Sequence, residues 1–147
     1  MTNILLSNAS IKIYDLFLSH AWSHNDDYLK LKTMLEGAPN FNFRNYSVPI
    51  YDPLINPETP VGKNELAGIL ERQVKPVNCV VILSGIYVTH SDWILLEIEI
   101  AKSYQKPIIG VAPWGQRKFP KVVKDEAIQV VGWNTPTIIN AIRKHAI

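Results

Sequence analysis

Short runs of apolar residues alternate along this chain with longer stretches in which apolar residues recur at helical spacing. Two runs are typical of strands buried on both faces, Ile13–Ser19 and Asn78–Ser84, because each is dominated by large or β-branched residues. Weaker runs predict further strands at Tyr46–Tyr51, Pro107–Val111 and Ala127–Val131. The pattern therefore predicts five short strands.

Helices are predicted between and after these strands, from the spacing of apolar residues and from nearby Pro and Gly residues. The predicted helices are Asp26–Leu35, Asn64–Val74, Ser91–Tyr104 and Pro136–His145, with Ser91 and Thr135 as N-caps and loops at Asp52–Pro60 and Ala112–Pro120. Such alternation favours a doubly wound parallel sheet with right-handed crossovers. We expect a single α/β domain over residues 1–147, with residues 1–12 as an N-terminal extension.

The composition restricts which classes of function are plausible but does not identify one. The 147 residues are 47% apolar and 19% charged with a net charge of +2, which is ordinary for a globular domain and gives no reason to expect a nucleic acid or membrane partner. The chain lacks an apolar stretch of the roughly 20 residues that span a bilayer and a recognisable secretory signal. The single cysteine, Cys79, excludes an intrachain disulfide and is expected in the core. We therefore expect a cytoplasmic protein.

The helix that begins at Ser91 carries two acids with different surroundings. Glu97 and Glu99 are two positions apart and so point in nearly opposite directions. Glu99 has Lys102 three positions later and is expected on a solvated surface, where the two can pair. Glu97 shares its face with apolar and aromatic residues, namely Trp93, Ile100, Ala101 and Tyr104.

A carboxylate on an apolar face is costly to bury and therefore needs an explanation. In an open α/β sheet, ligands bind at the carboxyl edge, where the first strand ends and the helix at Ser91 begins. Glu97 is thus a candidate for a ligand cleft. The structural alternative is an acid that caps a neighbouring loop or pairs with Arg72 or Lys63.

Four motifs stand in order along the chain and together resemble TIR (Toll/interleukin-1 receptor) domains. They are Tyr14–Ser19 running into His20 and Ala21, then Ser91-x-Trp93-x-x-x-Glu97, then Pro113-Trp114-Gly115, then Val131-Gly132-Trp133-Asn134. The set is closer to the bacterial TIR-like group that includes the TIR subunits of Thoeris antiphage systems. This resemblance implies a flavodoxin-like TIR fold, a five-stranded parallel sheet with helices on both faces.

The resemblance also implies a chemistry. Many TIR domains cleave the nicotinamide–ribose bond of NAD, and the family's catalytic acid corresponds to Glu97. Nicotinamide leaves as a neutral molecule from a cationic substrate, so an oxocarbenium-like transition state needs a nearby carboxylate rather than a general acid. For the Thoeris-like group, the implied product is a cyclic ADP-ribose-type signal that activates a separate effector. NAD is the substrate, no cofactor is implied, and self-association through TIR surfaces is expected.

Several further residues are candidates for substrate binding. Phe17, Ser19 and His20 lie at or beyond the end of the first strand, and each has a structural alternative as a core, capping or loop residue. Asp52 opens the proline-rich loop and is either part of a lid or interface, or a turn residue. Trp93 lies on the same helix face as Glu97.

Other signals are weaker. The spacing of His20 and His24 lacks accompanying ligands, so no metal site is expected. The glycine pattern of a phosphate loop is missing before Lys63. Basic residues at 117, 118, 121 and 124 are interpreted as solvated surface.

Two functions from other classes stay open. One is a non-enzymatic TIR interaction module that signals through its proline-rich loop and helical surfaces. The other is an enzyme similar to nucleoside deoxyribosyltransferases, which are also small α/β proteins with a catalytic Glu.

Overall fold

The computed structural model describes residues 12–19, 25–47, 59–83, 91–112 and 121–147, in which strands and helices alternate. The strands are β1 (Ile13–Leu18), β2 (Asn42–Asn45), β3 (Cys79–Leu83), β4 (Ile108–Val111) and β5 (Gln129–Val131). The helices are α1 (Asn25–Glu36), α2 (Pro60–Val74), α3 (Ser91–Ser103), α4 (Lys121–Glu126) and α5 (Thr135–His145).

All five strands are parallel and lie in the order β2-β1-β3-β4-β5. This is the strand order of flavodoxin-like proteins, in which the chain reverses its direction of progress across the sheet between β1 and β3. The predicted five-stranded parallel α/β fold is therefore confirmed.

Each face of the sheet carries its own apolar core, and β1 contributes to both because its side chains alternate. Leu16 and Leu18 pack with residues of α1 and α5, whereas Phe17 packs with residues of α2, α3 and α4. β3 is buried at all five positions, which explains why its sequence is continuously apolar. Helices thus cover both faces, as expected.

The second strand lies earlier in the chain than predicted. β2 is Asn42–Asn45, paired with β1 from Ile13 opposite Asn42 to Leu16 opposite Asn45, so the predicted strand start at Tyr46 was wrong. Residues 48–51 of that prediction lie outside the described part of the chain. β2 is an edge strand whose side chains alternate between exposed and half-buried. Its polar sequence therefore lacks the apolar run that identified the buried strands.

Two helix starts and one whole helix also differ from prediction. α2 begins at Pro60 rather than Asn64. The Thr59 side chain caps the helix by accepting a hydrogen bond from the Gly62 N–H, and Pro60 occupies the first helical position. α4 was not predicted, since its six residues hold a single fully buried side chain, Val123. α5 is capped by Asn134 and not by Thr135.

Within the described ranges, no helix is both long and apolar enough to cross a membrane.

Candidate functional site

Two polar side chains are buried in the described core, Ser19 and Glu97, with exposed fractions of 0% and 1%. They meet directly: the Ser19 Oγ donates a hydrogen bond to the Glu97 Oε2 at 2.5 Å. This distance is at the short end of the range for hydrogen bonds between hydroxyl and carboxyl oxygens in proteins. The pair therefore brings together two residues that are 78 positions apart in the sequence.

Strand geometry explains where Ser19 points. It follows β1 directly and shares the parity of Phe17, so its side chain faces the α2–α3 side of the sheet. Its backbone N–H donates to the Val81 carbonyl of β3 at 2.7 Å, which continues the β1–β3 ladder by one residue. Ser19 therefore lies at the carboxyl edge between β1 and β3, where flavodoxin-like sheets bind ligands.

Helix α3 supplies the other partner. Ile94 and Ala101, three positions before and four after Glu97, are both buried, so the helix face that carries Glu97 is packed onto the sheet. Glu99 is exposed, as predicted. Lys102, expected to pair with Glu99, instead contacts Glu126 of α4 at 2.8 Å. Helical spacing thus separated the buried acid from the exposed one correctly.

The buried position of Glu97 can be compared with the purely structural roles considered for it, loop capping and an ion pair with Arg72 or Lys63. Arg72 and Lys63, considered as ion-pair partners, are exposed residues of α2. The hydrogen bond from Ser19 ties the Glu97 carboxylate to the end of β1. The carboxylate therefore lies beside the edge at which the sequence predicted a cleft.

The other candidate residues divide into two groups. Phe17 is 1% exposed and belongs to the core between the sheet and α2–α3, which agrees with its alternative as a core residue. Trp93 lies in α3, although its side chain falls outside the described part of the chain. His20 and Asp52, like the Pro113–Gly115 motif, also lie outside the described residues.

A second polar cluster at this edge was not predicted from sequence. Asn45 at the end of β2 donates to the Tyr28 hydroxyl at 2.7 Å, and the hydroxyls of Tyr28 and Ser47 are 2.5 Å apart. The cluster lies on the α1 face of the sheet, opposite to Glu97. It was missed because the predicted second strand began too late.

Features away from this edge offer less to a catalytic site. An open cavity of about 470 Å³ lies at the opposite, amino edge and includes Lys106, Ile108 and His145 in its wall. Cys79 is in the core as predicted, and burial raises the pKa of its thiol to about 12. Within the described ranges, no three His, Cys, Asp or Glu side chains are grouped as metal ligands would be.

The strand order defines a flavodoxin-like α/β domain, and its buried acid lies at the β1–β3 edge. The sequence matches the family model "Thoeris protein ThsB, TIR-like domain" over residues 17–118, and the chain belongs to this family. The family resemblance seen in the motifs is therefore confirmed. No match was found among curated proteins.

Solved structures show the same fold at low sequence identity. The CMP N-glycosidase BcmB of Clostridium botulinum is 11% identical, with 88% of this chain and 98% of that chain covered and a TM-score of 0.50. The 2-deoxyribosyltransferase of Bacillus psychrosaccharolyticus is 12% identical, with 86% and 90% covered and a TM-score of 0.58. At these identities the similarity establishes the fold alone.

Proposed function

We propose that this protein cleaves the nicotinamide–ribose bond of NAD, with Glu97 as the catalytic carboxylate. The observation that carries the proposal is the burial of Glu97 at the β1–β3 edge, where it accepts a hydrogen bond from Ser19. Membership in the Thoeris ThsB TIR-like family supports it independently. In that setting, the product is a cyclic ADP-ribose-type nucleotide that activates a separate effector during antiphage defence in the cytoplasm.

The proposed chemistry follows from what a buried carboxylate can do. As the bond to nicotinamide breaks, positive charge develops on the ribose ring, and a carboxylate held close by stabilises that charge more strongly in a dry site than in water. Nicotinamide needs no proton to leave. Water attack on the ribose gives ADP-ribose, and attack by an adenine nitrogen of the same molecule gives a cyclic isomer, so exclusion of water favours the cyclic product.

The remaining candidates have supporting roles in this proposal. Phe17 lies in the core two positions before Ser19, on the same face of the sheet, and supports the floor of the site. His20, Asp52 and Trp93 are proposed to contact the substrate, and self-association through TIR surfaces is proposed to complete the site. None of these roles requires a metal or a resident cofactor.

The test compares two acids of the same helix. Glu97→Gln is expected to lower the rate of nicotinamide release from NAD by about 100-fold or more, while the control Glu99→Gln keeps the wild-type rate because Glu99 is exposed. Nicotinamide is measured by chromatography, both with purified protein and in lysates of phage-infected cells that express each variant. A wild-type rate in folded Glu97→Gln would refute the catalytic role, and no release in any condition would favour the non-enzymatic module.

A second candidate is exchange or hydrolysis of the base of a nucleoside or nucleotide. It is favoured by the two solved structures of similar fold, which are named for a CMP N-glycosidase and a 2-deoxyribosyltransferase. The same buried acid would serve, because these reactions also break a bond between a sugar and a base. Assays with CMP and with a 2′-deoxynucleoside plus a second free base distinguish it: release or exchange there, without nicotinamide release from NAD, would favour this candidate.

A further inference from the structure

We infer that Ser19 is a positioning residue: its hydroxyl fixes the orientation of the Glu97 carboxylate and does not bind substrate. The catalytic meaning of this inference rests on the proposed function. The contact itself is a property of the resting protein and is testable without any substrate.

The sheet holds the Ser19 hydroxyl in place. Ser19 is fully buried, and its backbone is fixed by the hydrogen bond from its N–H to the Val81 carbonyl. A serine hydroxyl has one proton to donate, and that of Ser19 is donated to Glu97 at 2.5 Å. Ser19 would therefore have to break this bond before it could donate to a ribose or phosphate group.

The hydrogen bond from Ser19 restrains the Glu97 side chain. Packing of Ile94, Ile98 and Ala101 fixes the backbone of α3 against the sheet, but a Glu side chain has three further rotatable bonds. A directional hydrogen bond from a rigid strand end fixes the plane of the carboxylate, which apolar packing cannot do. Ser19 thus couples the orientation of an acid on a helix to the sheet.

The consequence for catalysis is specific. A carboxylate that stabilises charge developing on the ribose must be oriented before the reaction, because a misplaced group loses stabilisation in the transition state. Loss of the restraint lowers the transition-state interaction and leaves binding of NAD largely unchanged. The expected signature is therefore a lower kcat with an unchanged KM.

The kinetic test uses three variants. Ser19→Ala removes the donor, Ser19→Thr keeps it, and Ser103→Ala is the control, because Ser103 lies in α3 and donates to the Ile100 carbonyl. Ser19→Ala is expected to lower kcat for nicotinamide release by about 10- to 100-fold, as for loss of a hydrogen bond to a charged group. KM stays within about twofold, Ser19→Thr restores most of the rate, and Ser103→Ala matches wild type.

Two kinetic results would overturn the inference. A raised KM with an unchanged kcat in Ser19→Ala would make Ser19 a substrate contact, and no change in either parameter would remove any role in positioning. If Ser19→Thr is poorly folded, Ser19→Cys gives a separate test, because it nearly keeps the size of serine but donates only weakly, and it is expected to lower kcat as Ser19→Ala does.

A readout without substrate separates this inference from the proposed function. The 13C signal of the Glu97 side-chain carboxyl, assigned by its loss in Glu97→Gln, is expected to shift in Ser19→Ala and to stay in place in Ser103→Ala. If no preparation releases nicotinamide, the proposed function fails, and this spectrum alone decides whether Ser19 orients Glu97. An unshifted signal in Ser19→Ala would overturn the inference.

Discussion

Polar contacts at two places, one at Asp15 within β1 and one at Ser19 directly after it, differ in their exposure to water. Within β1, Asp15 contacts Arg44 of β2 at 2.6 Å while the Arg44 side chain remains exposed, and this contact raises the pKa of the guanidinium. Asn78 accepts from the Asp15 N–H and donates to the Ile147 carbonyl, both at 2.8 Å. At the carboxyl edge, by contrast, Ser19 and Glu97 are removed from water.

This difference distinguishes polar groups that stabilise the fold, or leave its stability nearly unchanged, from polar groups whose burial destabilises it. Asn78 satisfies backbone groups, and an exposed ion pair adds little to stability. A buried carboxylate loses its hydration and recovers only part of it from its partners. Polar groups kept at such a cost are expected at functional sites, which is why the carboxyl edge is the place to look for chemistry.

The largest expected loss of stability tests whether Phe17, which lies beneath the carboxyl edge, is a core residue. Phe17→Ala is expected to lower the free energy of unfolding by about 3–5 kcal/mol, because a buried aromatic ring is replaced by a cavity. The control Phe43→Ala, on edge strand β2 and only partly buried, should cost clearly less. Urea denaturation measures both, and a loss below about 1 kcal/mol for Phe17→Ala would contradict the core assignment.

The next effect isolates the buried pair itself. Ser19→Ala is expected to lower the free energy of unfolding by about 1–3 kcal/mol, because it deprives a buried carboxylate of a donor. In a Glu97→Met background, the same substitution should cost little, since the carboxylate is gone. Equal losses in the two backgrounds would show that the pair is not coupled.

A third prediction concerns a titratable group buried at the start of β3. Burial raises the pKa of Cys79 to about 12 in the folded protein from its ordinary value of 9.0, so the unfolded chain loses this proton first as pH rises. The stability that Cys79 contributes is complete below pH 9.0 and declines toward pH 12, by about 1.4 kcal/mol per pH unit. The difference between wild type and Cys79→Ala in unfolding free energy, measured across this range, should show that slope. A constant difference would refute it.

The smallest effect concerns an exposed polar group at the carboxyl edge. Asn134 Oδ1 accepts from the Thr137 N–H at 3.1 Å and caps α5, so Asn134→Ala is expected to cost about 1 kcal/mol. Thr135→Ala should cost less, because Thr135 is the first residue of the helix and not its cap. Thermal denaturation distinguishes the two, and a larger loss for Thr135→Ala would reverse the assignment.

The elements predicted correctly from the sequence are those whose burial produces a continuous or periodic apolar pattern. β3 and the apolar face of α3 are continuous or periodic, so both were located within one residue at each end, and the contrast between Glu97 and Glu99 followed. β2 was placed wrongly because an edge strand of polar residues has no apolar run. α4 was missed because it is only about one and a half turns long. The bond between Ser19 and Glu97 depends on how α3 packs across the sheet, which single-sequence spacing does not specify.

The distance in sequence between Ser19 and Glu97 has a consequence for folding. The two residues are separated by 78 positions, an interval that contains α1, β2, α2 and β3. Parallel strands require long crossovers, and contacts between distant parts of a chain form slowly. The acid can therefore be oriented only after β1 and β3 have paired and α3 has docked, so an incompletely folded chain lacks the oriented carboxylate.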